Sequence, residues 1–270
     1  MKKAPAYQLI LAVSAVVTLS AAPDIRDKTL VAWVTPANLT QRGGSVLTIE
    51  KAGGVFDAIV FGEITPGKWM PGSDGFRRTK RDQERFPAET ADSNTLVQVA
   101  IVYQGKQITL YLNGSQCASY AAEGSERFGN DSKVLIGLRH IDAGPNDRFF
   151  TGSIDDARIY GVALNAAQIA ALKPNQLSDP KPLAWWDFED GKVADRMKAF
   201  PTSTLFGDAR IVEGKLHLDK PGAFLLASQV TAETGQASNG LRDPNSSARA
   251  LREKLLSDPY PHHTLTVASP

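Results

Sequence analysis

The chain has 270 residues, a formal net charge of +1 and a single cysteine, Cys117. That length suits one large β-sandwich, or a sandwich plus a fragment. The balanced charge excludes a global field for nucleic acid or an anionic membrane, and one cysteine excludes an internal disulfide.

The first 22 residues read as an export signal. Lys2 and Lys3 form a charged start, residues 9–19 an apolar core, and Ser20-Ala21-Ala22 a run of small residues suited to cleavage. The expected location is therefore secreted or periplasmic. An uncleaved anchor is the alternative, although the apolar run is short for a bilayer.

Strands are expected next over residues 29–35, 45–50 and 56–62, the second following a Gly43-Gly44 turn. Residues 65–94 are polar and rich in Gly, Pro and charge, and read as a long loop. Within it, FRRTKRDQERF (76–86) is basic but carries Asp82 and Glu84. Such a run is a solvated loop or a contact for an anionic partner. Strands resume over 96–103, 107–112 and 116–120. Asn113-Gly114 between the last two is the strongest hairpin signal in the chain. Cys117 sits in this strand pattern and reads as a small buried apolar residue. A further strand covers 133–138, and a polar loop with Arg139 and His140 follows.

Residues 149–172, FFTGSIDDARIYGVALNAAQIAAL, are the most informative part of the chain. Alternation over 154–160 predicts a strand with Ile154, Asp156, Arg158 and Tyr160 on one face and Asp155, Ala157 and Ile159 on the other. Asn165 then caps a short helix ending at Leu172, with Gln168 reaching back to the cap and Leu164 stapled to Ile169. Pro174 prevents its continuation.

Residues 174–182 carry three prolines and read as a linker. Residues 183–227 form a second β unit, containing LAWWDFEDG and a Gly214 turn between 209–212 and 215–218. Trp33, Trp185 and Trp186 lie in apolar strands and read as core. The tail, 228–270, reads as linker, an amphipathic helix over 247–257, and a disordered end. Many short strands, frequent turns and little helix predict an all-β sandwich.

The segment GSIDDARIY, with the leucine-to-isoleucine helix after it, resembles the closing motif of laminin G-like domains. These belong to the concanavalin A-like lectin/glucanase superfamily of jelly rolls. The resemblance implies a β-sandwich that binds ligands without catalysing. The stretch from WWDFEDG to GKLHLD resembles the opening strands of such a domain, so opening follows closing in this chain. Residues 183–227 then either fold back to complete the 23–173 sandwich or start a second one. Together, TLVAWVTPANLTQRGGSVLTIE, FDAIVFGEITPGKWM, IDDARIY, PLAWWDFEDG and LREKLLSDPY resemble the region before the catalytic propeller in some exported glycoside hydrolase family 32 proteins. Departure from that pattern after Tyr260 points to a truncated or frameshifted product.

Catalytic motifs are missing. Asp243-Pro244-Asn245 matches three residues of that family's nucleophile motif, but its flanks differ, and no propeller pattern follows it to supply a general acid at the separation of about 5 Å that retaining hydrolysis needs. There is no Glu-x-Asp-x-x-Glu string, nucleophile elbow, zinc-binding His pair, P-loop or dinucleotide fingerprint. Residual hydrolase activity is therefore not expected.

Two kinds of site remain. The resemblance implies a structural calcium held by Asp155 or Asp156 together with Asp187 or Glu189. The alternative is that Asp156 pairs with Arg158 on its own strand face. A sugar site needs an aromatic ring and polar groups. Trp69, in a Gly/Pro loop, is the candidate for an exposed ring, with Arg139 and His140 as polar neighbours. The expected partner is a glycan, by resemblance a fructan, bound by a monomer. The competing readings are a packing module that binds no sugar and an inert hydrolase fragment.

Overall fold

Regular structure in the computed structural model, which describes residues 24–141 and 148–229, is almost entirely β. The expected export signal, the Asp243-Pro244-Asn245 match and the 247–257 helix lie outside those residues. Fourteen strands are described: β1 (Lys28–Pro36), β2 (Ser45–Lys51), β3 (Val55–Phe61), β4 (Trp69–Ser73), β5 (Val97–Gln104), β6 (Gln107–Leu112), β7 (Ser115–Ala121), β8 (Lys133–Ile136), β9 (Gly152–Tyr160), β10 (Ala184–Trp186), β11 (Thr202–Phe206), β12 (Arg210–Val212), β13 (Lys215–Leu218) and β14 (Phe224–Ser228). One helix, α1 (Ala166–Ala171), follows β9.

The strands form two antiparallel sheets. One runs β12-β13-β9-β1-β5-β6-β7, with β10 also paired to β9; the other runs β11-β14-β8-β2-β3-β4. Their facing sides bury one apolar core, including Leu30, Ile59, Phe61, Trp69, Ile101, Ile136, Ile159 and Trp186. This is the all-β sandwich predicted from alternation and turn spacing.

Residues 184–228 supply five strands of this sandwich and pair with both sheets. Trp185 lies opposite Arg158 and Trp186 opposite Ala157 on β9. Leu216 pairs with Ile154 on the other half of the same strand. In the second sheet, Leu225 pairs with Ile136 and Leu226 with Leu135.

The outer face of the larger sheet is covered by α1. Val31, Trp33, Ala100, Val102, Tyr111 and Tyr160 pack against Leu164, Ile169 and Leu172. Asn165 caps α1 through the amide of Gln168 at 2.9 Å, and the Gln168 side chain accepts the Asn165 N–H at 2.9 Å. A cap of this kind is worth about 1 kcal/mol. The Asn113-Gly114 turn joins β6 to β7 with φ of 47° and 79°, the left-handed pair a two-residue hairpin requires.

Three expectations about the fold are corrected. The stretch 65–94 is not one open loop: it holds β4 and a 3-10 turn at Asp74–Phe76. Pro71 and Gly72 hide that strand in the sequence, yet an edge strand admits both. A Cβ at Gly72 would lie 2.4 Å from Val60 Cγ2, so β4 can approach β3 only with glycine there. Cys117, read as buried, is half-buried on edge strand β7. Trp33 and Trp185 are buried as expected; Trp33 belongs to the core under α1, and the Arg158 guanidinium lies over both rings.

The third correction concerns β9. Trp33 pairs with Asp156, and the next residue, Val34, pairs with Ile154. Asp155 is therefore an extra residue, a β-bulge. It shifts the alternation, so that Ile154 joins Ala157 and Ile159 in the inner core, away from Asp156, Arg158 and Tyr160.

Candidate functional site

The bulge turns Asp155 toward the segment that follows α1. Asn175, with φ of 57°, sits in a left-handed conformation that asparagine tolerates. Its Nδ2 donates to Asp155 Oδ2 and to Glu189 Oε1, each at 3.2 Å. Its Oδ1 has no hydrogen-bond partner. Lys215 Nζ stands 3.9 Å from Asp155 Oδ1. Burial pushes the Asp155 carboxyl above its usual range, against the pull of Lys215 and the Asn175 bond. Glu189 is exposed, and the short turn Glu189–Gly191 presents it beside Gly214.

Asp156 and Asp187 are committed elsewhere. Asp156 accepts Arg158 Nε at 2.8 Å and Nη2 at 2.6 Å, and also the Asn175 amide at 2.7 Å and Trp185 Nε1 at 3.1 Å. The Arg158 guanidinium lies between two indoles, 4.9 Å from Trp33 and 4.8 Å from Trp185. Burial opposes its charge, but the Asp156 fork outweighs this and holds it above its usual range. Arg196 also lies over the Trp185 ring, at 4.6 Å, and pairs with Asp187. Of the four carboxylates expected around calcium, the fold thus brings Asp155 and Glu189 onto one amide and gives Asp156 and Asp187 to arginines. No group of three or more His, Cys, Asp or Glu side chains placed to hold a metal ion occurs among the described residues.

The second candidate lies on the outer face of the smaller sheet. The His140 ring stacks on Phe56 at 4.7 Å and 15°. Arg139 pairs with Glu63 at 2.6 Å, and burial raises the Glu63 carboxyl while Arg139 pulls it down. The Ile141 amide donates to Glu50 at 3.0 Å. These contacts draw the loop after β8 across β2 and β3. Trp69 is not with them. It is 1% exposed, packs on Phe61 and Phe150 between the sheets, and bonds Glu89 through Nε1 at 2.8 Å. The expectation of an exposed Trp69 ring is corrected: its strand is an edge, but its side chain points inward.

Sequence reasoning missed Asn175, Arg196 and Lys215. The one signal for Asn175 was an asparagine directly after a proline at a helix end, where a left-handed residue is common.

The profile of the concanavalin A-like lectin/glucanases superfamily matches residues 12–170. The chain belongs to that superfamily. Among curated proteins, none matches it. Solved structures resemble it in part. Domain 4 of AbnA, a GH43 extracellular arabinanase from Geobacillus stearothermophilus solved with arabinotriose, is 21% identical; the match covers 55% of this chain and 68% of that one, with a TM-score of 0.42. A putative carbohydrate binding protein from Bacteroides ovatus is 14% identical over 77% of this chain and 55% of its own, with a TM-score of 0.46. The CBM40 of Ruminococcus gnavus IT-sialidase, bound to α2,3-sialyllactose, is 16% identical over 54% of this chain and 82% of its own, with a TM-score of 0.36.

Proposed function

We propose that this chain is an exported, non-catalytic carbohydrate-binding domain that tethers a fructan-cleaving enzyme of glycoside hydrolase family 32 to its glycan. Membership of the lectin/glucanases superfamily supports binding to sugar. The observation that carries the non-catalytic half is the fate of the carboxylates along β9 and β10. Asp156 is forked by Arg158, Asp187 is paired with Arg196, and Asp155 is held by Asn175 near Lys215. Glycoside hydrolysis needs one carboxyl free to give a proton and another free to attack or activate water.

Retention of the purified chain on immobilised inulin and levan tests this reading. Retention with no release of fructose is the expected result. Absence of retention on any neutral glycan overturns it in favour of a packing module.

A structural calcium is part of the proposal, with a revised ligand set. Asp155 and Glu189 already converge on one point, now taken by the Asn175 amide nitrogen, while Asn175 Oδ1 has no partner. Turning that amide gives three hard oxygens; backbone carbonyls and water supply the remainder of the 6 to 8 that calcium takes. The expected result is a higher unfolding midpoint in calcium than in EDTA, by about 2.7 kcal/mol at a hundredfold excess over Kd. Glu189→Gln should abolish the shift. Because burial raises the Asp155 pKa, the ion's contribution is present above that raised value and is lost as pH falls through it. An equal midpoint with and without calcium at neutral pH removes the ion.

A further inference from the structure

The basic run 76–86 resolves into two sets of side chains. Arg78, Thr79, Gln83 and Phe86 are buried, whereas Arg77, Lys80, Arg81 and Arg85 are exposed with Asp82 and Glu84 between them. A solvated loop would need no anchors, yet this one has five. Arg78 bonds Asp57 at 2.6 Å. Thr79 Oγ1 bonds the Pro71 carbonyl at 2.9 Å. Lys68 Nζ donates to the Gln83 and Glu84 carbonyls at 2.7 and 3.0 Å. Tyr120 OH donates to the Arg78 carbonyl at 3.0 Å. Phe86 reaches the core. The four cations therefore stand on a fixed frame, and a ligand that meets them loses little freedom in ordering the loop. The half-buried Phe76 ring lies among them, with the Arg81 guanidinium over it at 4.7 Å.

We infer that this surface, Arg77, Lys80, Arg81 and Arg85 around Phe76, binds an acidic polysaccharide built from uronic acid units. Two features favour that partner over other polyanions. The cations meet carboxylates spaced along a chain, one per sugar ring. Asp82 and Glu84 accept hydrogen bonds from sugar hydroxyls, while the same two carboxylates repel a backbone as densely charged as duplex DNA, about one charge per 1.7 Å. The surface adjoins the β8-loop site, because Phe76 packs against the cluster of Phe56 on which His140 stacks, but the inference stands independently of the fructan reading.

The test is retention of the full chain on immobilised polygalacturonate, with inulin, duplex DNA and anionic lipid vesicles alongside. Polygalacturonate should retain the chain, and raising sodium chloride from 50 to 200 mM should weaken this about fiftyfold when all four cations are engaged. The double variant Arg81→Glu/Arg85→Glu should weaken it by at least about tenfold, because each substitution removes one cation and adds one anion. Both positions are solvent-exposed, so stability should stay within about 0.5 kcal/mol and confirm that the fold is intact. Inulin retention should be unchanged in the variant, which separates this surface from a neutral-glycan site. No retention of the parent chain on polygalacturonate overturns the inference, as does equal retention of the variant. Tighter retention on DNA or on vesicles also overturns it.

Discussion

A chain ended at Lys173 is expected not to fold, although the superfamily profile matches residues 12–170 alone. Truncation there removes β10 to β14, which pair with β9 in one sheet and β8 in the other. It takes Trp186, Phe188, Phe200, Leu216, Leu218 and Leu225 out of the shared core. Deleting a single large core side chain costs about 2–5 kcal/mol. Six such losses match or exceed the whole stability of an ordinary domain, about 5–15 kcal/mol. The cut would also leave β9 and β8 as open edges lined by apolar residues, which invites aggregation. Urea unfolding monitored by near-ultraviolet circular dichroism checks this. A cooperative transition in the truncated chain would show that the first 173 residues are self-sufficient, and the pairing described above dispensable.

What could be seen in the sequence was set by how local its physical cause is. The β6–β7 hairpin follows from two residues, Asn113 and Gly114, and the α1 boundary from Asn165, Gln168 and Pro174. Alternation exposed β1, β5 and β8 because buried strands must alternate or run apolar. The misses have non-local causes. Trp69 looked exposed because Gly67, Pro71 and Gly72 surround it, but Gly72 serves a close approach to Val60 that no neighbouring residue reveals. The β9 bulge depends on the register of Trp33 and Val34, more than a hundred residues upstream, so the side on which Ile154 falls was invisible. The resemblance named all four acidic residues near the candidate calcium site. It could not sort them, because Arg158 and Arg196 take two of them and Asn175 gathers the others only after the linker is placed.

Replacing Asp57 should be among the most damaging single substitutions in this protein. Asp57 lies on β3 with its neighbours Ile59 and Phe61 facing the other sheet, and is fully buried. It joins three parts of the fold. Lys28 Nζ, from the start of β1 in the opposite sheet, is 2.8 Å away, and Arg78 Nε, from the 76–86 loop, is 2.6 Å away. Lys28 also lies over the rings of Tyr103 and Phe128, at 4.6 and 4.8 Å, so little water reaches it. Burial pushes the Lys28 ammonium below its usual range and Asp57 opposes that. For Arg78, burial also works against the charge, but Asp57 and Asp74 more than offset it. Asp57→Ala leaves two buried cations without their shared anion, at a cost of about 3–5 kcal/mol. The pH dependence distinguishes this cause from a simple cavity. With its folded pKa lowered further, Lys28 releases its proton in the native state at a pH where the unfolded chain still holds one. Stability of Asp57→Ala should therefore rise as pH increases through the folded Lys28 value toward 10.5. A cavity would cost the same at every pH. Urea midpoints for parent and variant at pH 7 and pH 9.5 give the answer: a gap that narrows at high pH identifies stranded charge, and a constant gap refutes it. The same variant should loosen the 76–86 loop, since Arg78 loses its principal anchor, and so should weaken polygalacturonate retention while all four exposed cations remain in place.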